Sequence, residues 1–319
     1  MQALELNNSL NYRQDKPIPA IAGDEALIRV KLAGICATDL ELVKGYAGFS
    51  GIIGHEFVGT VEAVGQKKHH HWLNKRVVGS INIGCGVCDV CRNDGPEHCS
   101  SRRVLGIRGH DGAFADYLRL PVANLFPVPD EVPDEAAVFA EPLAAAIRVL
   151  KQLAPLPVKP AAVIGPGRLG LLIAQVLALA GYDVEVLGRS ATSLALPQQW
   201  QLKTALVNDV PSNHYDYVVD ASGRAEGFSQ ALRIAKPRGT VVLKSTFSAS
   251  EPVDLSKVVV GELNILGSRC GPFDEALALL RQGSIPLASM VDGRYSLKDG
   301  LAALRHAAQP GIRKILLQP

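Results

Sequence analysis

The rhythm of apolar positions changes near residue 135. Before that point, short apolar runs are broken by glycine turns, and residues 26–32, 57–64 and 76–81 predict strands of an all-β segment. Four prolines from Pro121 to Pro133 mark a linker-like stretch. Residues 134–150 then carry a helical period that includes Pro142, and Pro155, Pro157 and Pro160 punctuate the segment before Ala161. From Ala161 onward strand and helix alternate. Strands are predicted at 161–164, 183–187, 215–221, 240–244 and 263–267, with a third strand of the series near 204–207. Residues 168–180 are apolar on nearly every side, as a buried crossover helix would be. Residues 225–235 predict a helix ended by Lys236-Pro237-Arg238-Gly239. This alternation predicts a parallel sheet covered on both faces. Residues 273–281 and 297–308 predict late amphipathic helices.

Composition narrows the class. The chain has 319 residues, enough for two domains at roughly 150 residues each. Hydrophobic residues make up 47% and charged residues 20%, which suits a large core and excludes a disordered chain. The net charge of +2 argues against nucleic-acid binding through bulk charge. No apolar run reaches the roughly 18 residues of a membrane span, and the stretch from Met1 to Asn11 is too polar for a signal peptide. No membrane partner is expected. Four of the six cysteines fall within fifteen residues. A disulfide framework belongs to small secreted domains, so a metal reading leads and the cytoplasm is the expected compartment.

Three constellations carry chemistry. The first is Gly165-Pro166-Gly167-Arg168-Leu169-Gly170, a G-x-G-x-x-G pattern after a predicted strand and before a predicted helix. Gly165 permits the tight turn, Gly167 lets the backbone approach a pyrophosphate, and Gly170 allows close helix–strand packing. The helix start offers free N–H groups to the phosphates. At the end of the next strand an acid would read the ribose of NAD, but the residues there are Gly188-Arg189-Ser190. Arg189 can pair with a 2′-phosphate, Ser190 can donate a hydrogen bond, and Gly188 leaves room, so NADP is expected over NAD. The bland reading is a solvated Arg189 stacked on adenine.

The second constellation is Cys85-x2-Cys88-x2-Cys91-x7-Cys99. Its spacing lets four thiolates close on one zinc, a structural site with no open position. A zinc-ribbon nucleic-acid module would want basic and aromatic surroundings; this loop also carries Asp89, Asp94 and Glu97. The third is dispersed: Cys36 with Thr38 and Asp39, His55 with Glu56, and Glu141 before Pro142. Cys, His and carboxylate are zinc ligands, and three of them with an open position would make a catalytic zinc. Singly, Cys36 reads equally as a core thiol, His55 as a turn residue and Glu141 as a helix N-terminal acid.

The order of these motifs resembles the zinc-containing medium-chain alcohol dehydrogenases over essentially the whole chain. It is carried by Gly34-x-Cys36-x-Thr38-Asp39, Gly54-His55-Glu56-x-x-Gly59, the four-cysteine lobe, the Gly112–Tyr117 run, Glu141-Pro142-Leu143 and the Gly165 fingerprint. The Glu-Pro-Leu form is similar to the polyol and threonine dehydrogenase branch. The resemblance implies an α/β chain. A GroES-like β-rich catalytic domain would span residues 1–137 and 271–319, with the zinc lobe at about 84–100, and a Rossmann domain would span residues 138–270. It implies a catalytic zinc on Cys36 and His55, completed by Glu141 or Glu56, and a structural zinc on Cys85, Cys88, Cys91 and Cys99. It places Asp220, Ala221, Ser222 and Gly223 at the nicotinamide half of the cofactor, and adds Thr246 to the cofactor set. It implies a homodimer or homotetramer, with the strand ending near Gly267 as a dimer edge.

Three departures stand out. A His that serves a proton relay in many members is replaced here by Glu41. The stretch from Arg189 to Tyr215 is short, which predicts a reduced helix. The histidine-rich run at 67–71 stands where a surface turn is expected, and reads as solvated. The expected reaction is hydride transfer between an alcohol or polyol and the nicotinamide. An open zinc acidifies an oxygen ligand, for water from about 15.7 to about 7, and so readies an alcohol for oxidation. Thr38 could pass the proton outward or cap a helix that begins at Asp39. Tyr46, Phe49, Ile52, Phe114, Arg269 and Phe273 are the pocket residues by analogy, with Arg269 either binding substrate or pairing with Glu262. Competing readings are a zinc-independent quinone or enone reductase, a zinc hydrolase, and a cofactor-binding protein without turnover.

Overall fold

The computed structural model describes residues 1–93, 95–154, 156–245 and 253–319. The chain forms two compact units, one of Met1–Glu141 with Phe273–Pro319, the other of Pro142–Pro272.

The first unit is built on a mostly antiparallel sheet. Its strands run in the order Leu125–Pro127, Arg76–Gly79, Glu56–Val64, Glu25–Gly34, Lys314–Gln318 and Val291–Ser296, and Tyr117–Pro121 pairs with Glu25–Gly34 as well. The central strand alternates exposed and buried residues until Leu32, then stays buried through Gly34. That change from alternation to full burial marks where the strand leaves the surface of its sheet and enters the site. Phe114, Phe139, Ile28, Leu32 and Ile35 are among its fully buried side chains.

The second unit holds a six-stranded parallel sheet. Its order is Lys203–Leu206, Val184–Gly188, Ala161–Ile164, Tyr215–Asp220, Ala235–Leu243 and Asn264–Gly267. This is the 3-2-1-4-5-6 order of a dinucleotide-binding sheet, and it reverses direction beside the first strand, where such sheets take their ligand. Helix Arg168–Leu179 buries every residue from Gly170 to Leu177, as its apolar sequence requires. Ala162, Ile164, Leu187, Val218, Ala231, Ile234 and Val241 pack together in the core.

Local chemistry moved several predicted boundaries. The helix expected over 134–150 is two helices, Asp134–Ala137 and Ala140–Leu153. Pro142 falls in the first turn of the second, where its missing N–H costs nothing. The segment Lys236-Pro237-Arg238-Gly239 is no helix-ending turn. It lies inside strand Ala235–Leu243 as an irregularity, with Arg238 at φ 62°. Bulges are where sheets accept proline. The reduced helix of the short stretch is Ala191–Gln199, with Pro197 inside it. The late helix expected over 297–308 divides into a 3-10 turn, Leu297–Asp299, and helix Gly300–Ala307.

Candidate metal and cofactor sites

The end of strand Glu25–Gly34 delivers Cys36 to the start of helix Ala37–Val43, where Cys36 is the N-cap with extended backbone. Asp39 fastens that turn, accepting a hydrogen bond from the Cys36 amide at 2.8 Å. Thr38 therefore does not cap the helix; Cys36 holds that position and Thr38 sits in the first turn. The Thr38 hydroxyl lies 3.8 Å from the Cys36 sulfur. His55 arrives from a different part of the chain. Gly54 precedes it at φ 102°, a region that favours glycine, and a Cβ there would stand 2.4 Å from the Phe114 ring.

One ligand atom each from Cys36, His55 and Glu56 lie within 4.8 Å of one another. Glu141 stands in the first turn of helix Ala140–Leu153, outside that set. Behind His55, the buried carboxylate Oδ1 of Asp39 is 3.3 Å from Nδ1. The two atoms face each other without hydrogen-bond alignment, and neither has another hydrogen-bond partner among the described residues. Burial opposes charging His55, but the charges of Asp39 and then Cys36 hold its pKa well above the usual histidine range. Cysteine, histidine and carboxylate donors thus converge in front of a buried acid, a donor set suited to a metal ion. A divalent cation bound by Cys36 and His55, with Asp39 orienting the imidazole, fits that set. In the sequence Asp39 stands out only as part of a motif. Its role was legible in principle, because an acid at the third helical position after a ligand cysteine can both cap and orient.

The four cysteines also converge within 4.8 Å, with the Cys85–Cys91 and Cys88–Cys99 sulfur pairs each at 3.9 Å. The Cys88 and Cys91 amides approach the sulfurs of Cys85 and Cys88 at 3.4 and 3.5 Å. Amide donation from Val87 and Cys88 pulls the Cys85 thiol down to about 6. At Cys91 the Gly86 amide favours the thiolate, yet burial and the neighbouring thiols outweigh it and push the pKa up to about 11. Four thiolates cannot share this space near neutral pH without a cation between them. The donor set fits zinc with a closed tetrahedral shell.

In the second unit, Gly165 follows strand Ala161–Ile164 at φ 98°, and a Cβ on it would stand 2.7 Å from Ser222 Cα. A Cβ on Gly170 would meet the Gly165 carbonyl oxygen at 1.9 Å. Around Gly167, the N-cap of helix Arg168–Leu179, a Cβ would find open space, as a phosphate-facing glycine should. Pro166 bridges the two glycines, and Arg168, Leu169 and Gly170 open the helix. The Ser222 amide donates to Asp220 Oδ1 at 2.9 Å and closes the second turn, beside Ala221. Burial raises the pKa of Asp220 despite the Ser222 hydrogen bonds. Thr246 lies outside the described residues.

Strand Val184–Gly188 ends beside exposed Arg189 and Ser190. Gly188 does not leave empty room: Ser193 Oγ and Leu194 would stand 2.6 and 2.8 Å from its Cβ. Its smallness admits the next helix instead. Ser190 caps that helix through the Ser193 amide at 3.4 Å and lies 3.0 Å from the Thr192 hydroxyl. Arg189 has no ion-pair partner among the described residues.

The pocket residues scatter. Phe114 and Ile52 are core, and Phe273 stacks on Phe126 at 5.1 Å. Phe49 and Ile52 line a cavity of about 200 Å³ with Met1, His110, Asp111 and Arg119, and none of Cys36, His55 or Glu56 lines it. Tyr46 lies in a 3-10 turn, half-buried. Glu262 pairs with Arg238 at 3.7 Å rather than with Arg269. Glu41 pairs with Lys44 at 2.8 Å. In the histidine run, His69 and Lys68 both reach Asp24. No helix among the described residues is long and apolar enough to cross a membrane.

Residues 22–130 match the family described as alcohol dehydrogenase GroES-like domain, and residues 169–282 match zinc-binding dehydrogenase. The chain is 30% identical to an L-threonine 3-dehydrogenase of Streptomyces avermitilis, over 96% of this chain and 95% of the relative. A zinc-binding dehydrogenase structure from Sinorhizobium meliloti, bound to NADP, shares 28% identity with a TM-score of 0.90, covering 100% of this chain and 99% of its own. An Escherichia coli alcohol dehydrogenase complexed with NADH shares 26% identity at a TM-score of 0.91, with the same coverage. With a thiolate–histidine–carboxylate pocket, a closed four-cysteine pocket and a dinucleotide sheet in one chain, the protein belongs to the zinc-containing medium-chain alcohol dehydrogenases and is a zinc- and nicotinamide-dependent oxidoreductase.

Proposed function

We propose that this chain transfers hydride between an alcohol or polyol and NADP, with residues 1–137 and 271–319 as catalytic domain and 138–270 as cofactor domain. The observation that carries the reading is the convergence of Cys36, His55 and Glu56 within 4.8 Å, a donor set suited to a metal ion. When bound there, zinc supplies Lewis acidity to the reacting oxygen. Cys36 and His55 hold the metal, Asp39 fixes the imidazole, and Glu56 or Glu141 supplies a third ligand. Thr38, with its hydroxyl beside Cys36, carries the proton away from the site. Cys85, Cys88, Cys91 and Cys99 hold the structural zinc. Gly165, Gly167 and Gly170 seat the pyrophosphate against the start of helix Arg168–Leu179, and Ala221 and Ser222 serve the nicotinamide half.

The preference for NADP is supported by an exposed Arg189, without an ion-pair partner among the described residues, beside the hydroxyls of Ser190 and Thr192. A homodimer or homotetramer in the cytoplasm completes the reading, supported by the family's habit and by six free cysteines. The substrate is drawn from alcohols, polyols and hydroxy amino acids, the last because of the threonine dehydrogenase relative. The test is reduction of NADP⁺ and NAD⁺ by zinc-replete enzyme across a panel of those classes, repeated with Arg189→Ala. Charge-assisted hydrogen bonds contribute about 1.5–3 kcal/mol, so NADP⁺ affinity should fall about 10- to 100-fold in the variant while NAD⁺ affinity stays. Equal loss for both cofactors would refute the selection by Arg189, and no turnover with any alcohol would refute the enzyme reading.

A further inference from the structure

Lys244 directly follows strand Ala235–Leu243, yet it is only 9% exposed. Lysine is seldom buried, because its ammonium gives up hydration there. This ammonium is held by the segment that follows the neighbouring strand, Asn264–Gly267. It donates to Ser268 Oγ at 3.3 Å and to the carbonyl oxygen of Arg269. Both acceptors are neutral groups. The backbone is fixed as well: the Lys244 amide donates to the Asp220 carbonyl at 3.0 Å, and the Ser268 amide to the Leu243 carbonyl at 3.0 Å. Ser245 Oγ accepts from the Gly223 amide at 2.8 Å, which ties the turn after strand Tyr215–Asp220 to the same place. The Asp220 carboxyl group is engaged elsewhere. Its Oδ1 accepts from the Ser222 amide and lies against helix Ala225–Ile234, 2.5 Å from where a Cβ on Gly227 would stand.

The ammonium stands at the end of the sheet where a dinucleotide binds. In a 3-2-1-4-5-6 sheet one half carries the pyrophosphate turn and the adenosine ribose, and the other half takes the second nucleoside. Here the glycine turn follows the first strand and Arg189 the second, whereas Lys244 and Ser268 follow the fifth and sixth. Lys244 therefore belongs to the nicotinamide half. The nicotinamide ring is a cation when oxidised and neutral when reduced. The difference is one hydride, which an alcohol gives with its electron pair while its hydroxyl proton leaves separately. A fixed, buried ammonium repels the oxidised ring and not the reduced one, and burial limits the screening of that repulsion. We propose that Lys244 biases the bound cofactor toward its reduced form, so that NADP⁺ and NAD⁺ bind weakly and their rings accept hydride readily. Lys244 acts through the charge of the ring and takes no part in the bond changes. The inference rests on the reading of this chain as a nicotinamide-dependent dehydrogenase and adds which redox state its cofactor site favours.

Titration of the zinc-replete protein with NADP⁺, NADPH, NAD⁺, NADH and ADP-ribose tests this without reference to turnover. The ratio of oxidised to reduced affinity is a shift in the potential of the bound couple, and a tenfold ratio is about 30 mV for two electrons. In wild type the oxidised cofactors should bind about tenfold more weakly than the reduced ones. Lys244→Met removes the charge and should shrink that ratio about tenfold, chiefly through tighter NADP⁺ and NAD⁺. ADP-ribose, which lacks the ring, should bind both proteins equally. A ratio in Lys244→Met within about threefold of wild type overturns the proposal, as do equal affinities for the two redox forms in wild type. A loss of affinity shared by all five ligands also overturns it, because it makes Lys244 a structural residue alone. Should Lys244→Met fail to fold, Lys244→Gln, which keeps an N–H donor, is read by the same ratio. Wild type that binds none of the five overturns the cofactor reading itself, and this inference with it.

Discussion

Single side chains near the metal act through what stands behind them. His55 is buried, with the Asp39 carboxylate 3.3 Å from Nδ1 and ligand atoms of Cys36 and Glu56 within 4.8 Å of the imidazole's own. Asp39 is also tied to the Cys36 amide, so one side chain sets the position of both ligands. Asp39→Asn keeps the size and the capping oxygen but removes the charge that orients and strengthens the imidazole. Metal affinity at this site should fall about 10- to 100-fold, measured by chelator competition, with the fold intact. An unchanged affinity would assign Asp39 to capping alone.

At the scale of elements, the dinucleotide unit depends on close approach of backbone segments. Gly165 lets the turn after the first strand pass beneath the turn at Ala221 and Ser222. Gly170 lets the helix lie against the Gly165 carbonyl, and here a methyl group meets backbone at 1.9 Å. Neither side can yield without shifting a helix or a strand. Gly170→Ala should therefore cost about 1–3 kcal/mol by overpacking, read from urea denaturation, and should weaken cofactor binding in a titration. Stability and affinity equal to wild type would mean that the helix can slide without cost. The bulge in strand Ala235–Leu243 teaches the opposite lesson. A Lys-Pro-Arg-Gly run looks like a stop signal, yet the sheet absorbs it, because Pro237 needs no ladder partner in a bulge.

For the molecule as a whole, two metals would serve different ends. The four-cysteine lobe has a two-residue strand at Asn82–Ile83, a five-residue helix at Asp89–Asn93, and few large buried side chains of its own. A cation held between the sulfurs would supply its order. A strong chelator should therefore lower the melting temperature and expose the lobe to proteolysis, whereas Cys36→Ser should lose one metal equivalent and activity without either change. Equal resistance to protease before and after chelation would remove zinc from the lobe's structural account.

The amino-acid sequence by itself determined the elements and the chemistry carried by short spacing. Strand–helix alternation from Ala161 announced a parallel sheet, the Gly165 fingerprint announced its ligand, and two-residue gaps announced a closed metal shell. These are local signals, because turn geometry and thiolate convergence are settled within a few residues. Only the tertiary structure decided which distant groups meet. Glu56 lies with Cys36 and His55, while Glu141 falls outside that set. Lys314 reaches Glu56 across 258 positions of sequence. No spacing rule encodes such a pairing, because it follows from strand order and from the gap that Gly34 leaves beside both side chains.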